Sequence, residues 1–219
     1  MTSGADESEP ADERATPRAT ARFVVATFNH HKAAELRALL ALESVTLVPL
    51  TDWPEAKPPH ETGDTLLANA RIKAHAAVAA TGLPAIADDT GLEVDALRGA
   101  PGVHAASYAG PAASYAENVA KLLRELTDVP AAGRTARFRT VCVAAGPDGR
   151  EVHTEGAVEG VIVEAPRGTS GFGYDPVFVP AGETRTFAEL TDAEKNAISH
   201  RARAVRALAG ILQTSFASS

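Results

Sequence analysis

A single cysteine, Cys142, stands among the 219 residues, so no intramolecular disulfide holds the fold together. Its setting, TVCVAAG, is that of a thiol buried in a strand rather than an activated nucleophile, and a lone thiol of this kind fits a reducing, cytoplasmic location. Basic residues are in deficit. Against 28 Asp and Glu there are 21 Lys and Arg, a formal net charge of −7, which argues against binding a nucleic acid polymer, because such affinity comes from clustered cations. No apolar run nears the roughly 20 residues that cross a bilayer, and the N-terminus lacks the basic-then-apolar order of a secretory signal, so no membrane association is expected. Residues 1–20, MTSGADESEPADERATPRAT, carry no aromatic or large aliphatic residue after Met1 and read as a disordered leader.

What remains is rich enough, at 45% hydrophobic, for one substantial core, and residues 21–215 are expected to form a single domain, built as two lobes. ARFVVATFNHHKAAELRALLALE reads as a strand from Phe23 to Ala26, a short loop, and a helix capped by Asn29 with Leu36, Leu39 and Leu40 on one face. The glycines of a GxxxxGK[ST] loop are missing there. Even so, a helix N-terminus with Lys32 in its first turn suits a phosphate group. VTLVPL is a second strand, followed by a proline-broken loop, TDWPEAKPPH, in which Trp53 serves as an anchor. A helix is expected from about Thr65 to Ala80, closed by Gly82, with Asn69 and Lys73 neighbouring at i and i+4 and Glu61 just ahead.

LPAIA and GLEVDAL read as two extended pieces joined by DDTG. Asp88 and Asp89 then lie at a strand end, where two carboxylates either form a solvated turn or share a divalent cation. The stretch AASYAENVAKLLRELTDV is an amphipathic helix through Val119, Leu122, Leu123 and Leu126, with no site residues expected on it. Residues 135–146 and 150–166 alternate as strands about the Pro147–Gly149 turn, forming a long antiparallel hairpin. Gly168, Gly171 and Gly173 surround Phe172 and Tyr174, which lets ring faces and backbone approach a flat ligand. A capping box at Thr191 and Glu194 opens a helical run that carries Lys195, His200, Arg201 and the apolar Val205, Leu208 and Leu212. Carboxylates, separated lysines and aromatics together match a nucleoside triphosphate bound with Mg²⁺, the cation held by one or two carboxylates and the phosphates themselves.

Five ordered motifs, ATFNHHKAAEL, ETGDTLLANARIKA, PAIADDTGLEVDALRGAPG, GFGYDPVF and EKNAISHRARA, resemble the inosine triphosphate pyrophosphatase family across residues 22–210. The resemblance implies an elongated, two-lobed α/β fold around a central mixed β-sheet with flanking helices and a nucleotide cleft between the lobes. It also implies a homodimer, Mg²⁺ dependence, and cleavage of ITP, dITP and XTP to the monophosphate and pyrophosphate. Carried over position by position, it implies substrate contacts along Thr27, Phe28, Asn29, His30, His31 and Lys32, with Thr27, Asn29 and Lys32 on phosphate, and again at Lys73 and Thr90. Glu61, Asp88 and Asp89 become the metal carboxylates, with Asp89 also taking the proton of the attacking water. Phe172, Gly173, Tyr174 and Asp175 form the base pocket, and Lys195, His200 and Arg201 complete the substrate contacts. Two positions depart from the family pattern: Phe28 replaces the glycine of TGN, and Ser107 replaces the basic residue of SARYAG. Two rivals are a Maf-type pyrophosphatase of modified pyrimidine nucleotides and a module that binds nucleotides without hydrolysing them.

Overall fold

The computed structural model describes residues 21–42 and 45–215; the leader expected over residues 1–20 lies outside them. In chain order the elements are β1 (Ala21–Val25), α1 (His30–Leu39), β2 (Val45–Pro49), α2 (Leu66–Thr81), β3 (Ala85–Val94), β4 (Pro101–Gly102), α3 (Tyr115–Glu125), β5 (Thr135–Ala145), β6 (Glu151–Ile162), β7 (Phe178–Pro180), α4 (Asp192–Ile198) and α5 (His200–Ser215). The local signals account for their ends. Asn29 accepts from the amides of His31 and Lys32 at the start of α1, Thr65 accepts from Ala68 at the start of α2, and Gly82 closes α2 in the left-handed conformation.

The strands form one sheet in the order β2-β1-β3-β5-β6-β7, with β4 paired to β3 off that path. β1 runs parallel to β2 and β3, and the remaining pairs are antiparallel, which makes the α/β fold with a mixed central sheet that was expected. The two extended pieces around DDTG are one continuous strand. β5 pairs with β3 at every position from Ala85↔Ala145 to Val94↔Ala136, and that ladder overrides the turn preference of Asp and Gly. The hairpin is as expected except that β6 stops at Ile162 rather than near residue 166. Neighbouring β1 reaches only Val25↔Ile86, so β3 continues past its end and leaves a notch beside Asp88, Asp89 and Thr90. Such notches at the carboxyl ends of parallel strands are where open α/β sheets bind ligands.

Helices cover both faces. α2 lays Ala70, Ala74 and Ala77 on Ala85, Ala87, Val141 and Val143, while α1 with its C-cap Leu40, and α5, bring Leu36, Leu40, Val205 and Leu208 to Ile86, Cys142 and Ala144. Cys142 is the buried strand thiol foreseen; burial, then Asp88, pushes its pKa up, so it stays protonated. A third cluster, around Phe138, Phe178, Phe187 and Leu122, fills the far end of the sheet under α3.

The C-terminal helical run is two helices, because Ser199 is extended (φ −66°, ψ 157°) between α4 and α5. α5 then packs so tightly on β6 that a Cβ at Gly156 would fall 2.2 Å from the carbonyl oxygen of His200 and 2.5 Å from the amide nitrogen of Ala204. Gly156→Ala is therefore expected to push α5 off the sheet and lower stability by about 1 to 3 kcal/mol, an overpacking cost that urea unfolding measures. An unchanged midpoint would show that the contact yields freely.

Candidate active site

Side chains alternate along a strand, so the neighbours Asp88 and Asp89 leave β3 on opposite faces. Asp88 turns toward α1 and α5. Its Oδ2 accepts from Arg201 Nη2 at 3.0 Å and Nε at 3.2 Å, and Lys32 Nζ lies 3.3 Å away. Asp89 turns toward α2, where Lys73 Nζ donates to its Oδ1 at 2.6 Å and reaches Glu61 Oε2 at 3.2 Å. The two carboxylates are thus parted by the pleat and held by separate cations. Glu61, Asp88 and Asp89 do not converge: among the described residues no group of three or more His, Cys, Asp and Glu is arranged to hold a metal unaided.

The same separation drives their proton affinities apart. Burial alone would raise Asp88, but Lys32, Arg201 and Lys73 outweigh it and hold the carboxyl far below the usual range. At Asp89 burial prevails over Lys73 and Lys32, and the pKa is raised. Burial lowers Lys32, with the charges of Lys73 and Arg201 adding to it against Asp88. At Lys73 burial is overcome by Asp89, Asp88 and Glu61, and the ammonium is strengthened. A permanent anion beside a carboxylate of raised proton affinity is the division of labour that acid–base chemistry needs, with Asp89 the better proton acceptor. Asp88 Oδ1 and Asp89 Oδ2 are buried without a hydrogen-bond partner.

At the other end, Gly171 sits at φ 72° where a Cβ would lie 2.1 Å from Asp175 Oδ2. Glycine there lets Asp175 Oδ2 fold back to accept from the Phe172 amide at 2.8 Å and from Lys195 Nζ at 2.6 Å. Lys195 also donates to Glu35 at 2.8 Å, and Glu35 accepts from Arg201 Nη1. Arg201 further donates to Thr90 Oγ1 at 3.0 Å, which is bonded to Thr140 at 2.7 Å. An unbroken and largely buried chain of charge, Asp175–Lys195–Glu35–Arg201–Asp88–Lys32, with Glu35 and Lys32 partly exposed, therefore links the aromatic loop to the aspartates. The break at Ser199 is what lets α4 and α5 each aim one cation at Glu35.

Phe172 stacks on His31 at 5.3 Å and lies 5.9 Å from Tyr115, with Lys195 Nζ 5.0 Å from its centroid. Tyr174 is buried and donates to the carbonyl of Ala105 at 2.9 Å, anchoring the loop. His200 stacks on Phe138 at 4.5 Å, and burial, then Arg201 and Lys195, keeps its imidazole neutral. A cleft of about 290 Å³ joins the two ends. Most of the expected site residues line it, from Thr27, Phe28, Asn29 and Lys32 through Glu61, Lys73, Asp89 and Thr90 to residues 172–175, Lys195, His200 and Arg201. Asp88 lies behind Lys32 and Arg201, His31 reaches only the Phe172 ring, and His30 is exposed outside the cleft.

Two residues escaped the sequence reading. Glu35 was legible in outline, three positions after Lys32 on the same helix. Tyr115, whose hydroxyl accepts from Asn29 Nδ2 at 2.8 Å, opens the α3 helix, on which no site residue was expected, and nothing local marks it.

The sequence profile of the Ham1 family matches residues 23–211. The chain belongs to the Ham1 family. Among its relatives are the dITP/XTP pyrophosphatase of Geobacillus kaustophilus, 50% identical over 85% of this chain and 91% of that protein, and that of Streptomyces avermitilis, 47% identical over 88% and 97%. A HAM1 protein from Coxiella burnetii has the same fold, with a TM-score of 0.81 and 41% identity over 90% of this chain and all of that one. These findings bear out the kinship drawn from the five motifs.

The two departures of this Ham1 chain have different consequences. Among the described residues Arg98 is the only non-glycine with positive φ, so Phe28 sits in its turn without backbone strain and its ring lines the cleft. Ser107 is exposed and lines no part of the cleft.

Proposed function

We propose that this Ham1 protein hydrolyses noncanonical purine nucleoside triphosphates (ITP, dITP and XTP) to the monophosphate and pyrophosphate, and so clears them from the nucleotide pool. The observation that carries this reading is the arrangement of Asp88, fixed by Arg201 and Lys32, and Asp89, held with Glu61 on Lys73, in one cleft with an aromatic loop. The printed names of the relatives, dITP/XTP pyrophosphatase, support it.

In this reading Asp89 accepts a proton from water as the water oxygen attacks the α-phosphorus and the bond to the bridging oxygen of the β-phosphate breaks. Lys32 and Lys73 meet the charge of the departing pyrophosphate, with Thr27, Asn29 and Thr90 donating to phosphate oxygens. Phe172 stacks on the base within the loop of Gly173, Tyr174 and Asp175, and donors at Lys195, His200 and Arg201 favour a 6-oxo purine over the 6-amino group of adenine. The unpartnered Oδ2 of Asp89, with Glu61 bound to the same lysine, fits a hard cation, so Glu61 and Asp89 would hold Mg²⁺ together with the phosphates. Bound there, Mg²⁺ stabilises phosphate charge and acidifies water. Asp88 we assign to holding Lys32 and Arg201 in place rather than to the metal. We further propose that residues 21–215 act as one domain of two lobes about the cleft, as a homodimer in the cytoplasm.

The test is pyrophosphate release, with Mg²⁺, across a panel of triphosphates. Expected is a kcat/KM for ITP, dITP and XTP roughly 100-fold or more above that for ATP. Preference for pyrimidine triphosphates, or nucleotide binding without turnover, would overturn the reading.

A further inference from the structure

The proline-broken loop after β2 is pinned from both sides. Trp53 and Ala56 pack against the core under α2, and the turn is closed by hydrogen bonds from Trp53 N to Leu50 O and from Ala56 N to Trp53 O, each 3.0 Å. Pro58 and Pro59 then restrict the backbone as it runs toward Glu61. Between the two anchors stands Lys57, exposed and lining the cleft.

Its charge matters because the other cations of the cleft are spoken for. Lys32 and Arg201 face Asp88 at 3.3 and 3.0 Å, Lys73 faces Asp89 at 2.6 Å, and Lys195 faces Asp175 at 2.6 Å. With Glu35 and Glu61 in the same networks, these four cations meet five carboxylates. Lys57 is the one lining cation that, among the described residues, has no carboxylate partner. A polyanionic tail entering this cleft meets charge that is already compensated everywhere except at Lys57. The basic residue that the family resemblance places at Ser107 is also missing from this chain.

We propose that Lys57 is a further substrate-binding residue, supplying the uncommitted positive charge that holds the β- and γ-phosphates, the pyrophosphate about to leave. The assignment to that end of the substrate follows from the chain. Lys57 lies four residues before Glu61, which shares Lys73 with Asp89, whereas the aromatic loop is tied to Lys195 and Asp175. It rests on the pyrophosphohydrolase reading above.

The experiment compares the full-length protein with Lys57→Ala, Lys57→Glu and Lys57→Arg. For dITP hydrolysis with Mg²⁺, Lys57→Ala is expected to raise KM about tenfold with kcat within twofold, the pattern of a contact made equally in the ground and transition states. Lys57→Glu should be worse, and Lys57→Arg should restore KM to within about threefold. Inhibition by pyrophosphate should weaken by the same factor as KM, while inhibition by deoxyinosine monophosphate stays unchanged. Should the parent protein show no turnover, the function reading falls. Calorimetric titration of magnesium pyrophosphate into parent and Lys57→Ala then decides the lysine on its own, a weaker affinity in the variant supporting its role and an equal one sinking it. An unchanged KM in Lys57→Ala, or equal weakening toward the monophosphate, would overturn the proposal, and an unchanged melting temperature separates binding loss from unfolding.

Discussion

Replacing Asp89 by Asn is expected to lower kcat for pyrophosphate release from dITP by about 100- to 10,000-fold while nucleotide binding persists. Asn keeps the shape and one acceptor for Lys73 but cannot take a proton from water. Lys73, freed of a full negative charge 2.6 Å away, has more charge to offer the phosphates, so affinity for the nucleotide measured without Mg²⁺ should hold or tighten. Stability gives an independent check. The raised pKa of Asp89 makes its ionised form costly, whereas the same carboxylate strengthens the buried Lys73 ammonium, so the two effects oppose and the variant should unfold within about 1 kcal/mol of the parent at pH 7.5. Activity within tenfold of the parent would remove Asp89 from the proton-accepting role. A large loss of stability would assign it to structure instead.

Arg201→Met is expected to cost about 3 kcal/mol at neutral pH, because it leaves Asp88 with only Lys32 and Glu35 with only Lys195 to offset their charge in the interior. Arg201 is among the most deeply buried side chains and holds both carboxylates at once. Lysine is a poor substitute, since one ammonium cannot reproduce a planar group that serves Asp88, Glu35 and Thr90 in different directions. At both carboxylates burial, acting to raise the pKa, is outweighed by cations, Lys32 ahead of Arg201 at Asp88 and Arg201 ahead of Lys195 at Glu35, so both are depressed. Depressed acids contribute stability that is present above their unfolded values, about 4, and is lost as pH falls through the folded ones. In the variant each carboxyl has one cation fewer and takes up a proton at higher pH than in the parent, so the gap between parent and variant should narrow from pH 7.5 to pH 4.5. Urea unfolding at the two values measures it. A gap of equal size at both would mean that lost packing, not stranded charge, is responsible.

Read alone, the chain determined what neighbours settle among themselves. The Asn29 and Gly82 caps, the hairpin turn at Pro147–Gly149, the burial of Cys142 and the motif order all lie within a few residues of the atoms they control. DDTG shows the limit of that logic: its turn preference is real, yet ten ladder pairs with β5 straighten it. Tertiary structure alone decided how the two aspartates are partnered. The pleat sends them to opposite faces, and their partners come from far along the chain: Arg201 is 113 residues from Asp88, and Tyr115 is 86 from Asn29. Periodicity and capping report on the turn of helix or pleat in which a residue sits. Which cation lies opposite a given carboxylate, and hence which of two identical side chains stays ionised and which can take a proton, is set only when distant helices close over the sheet.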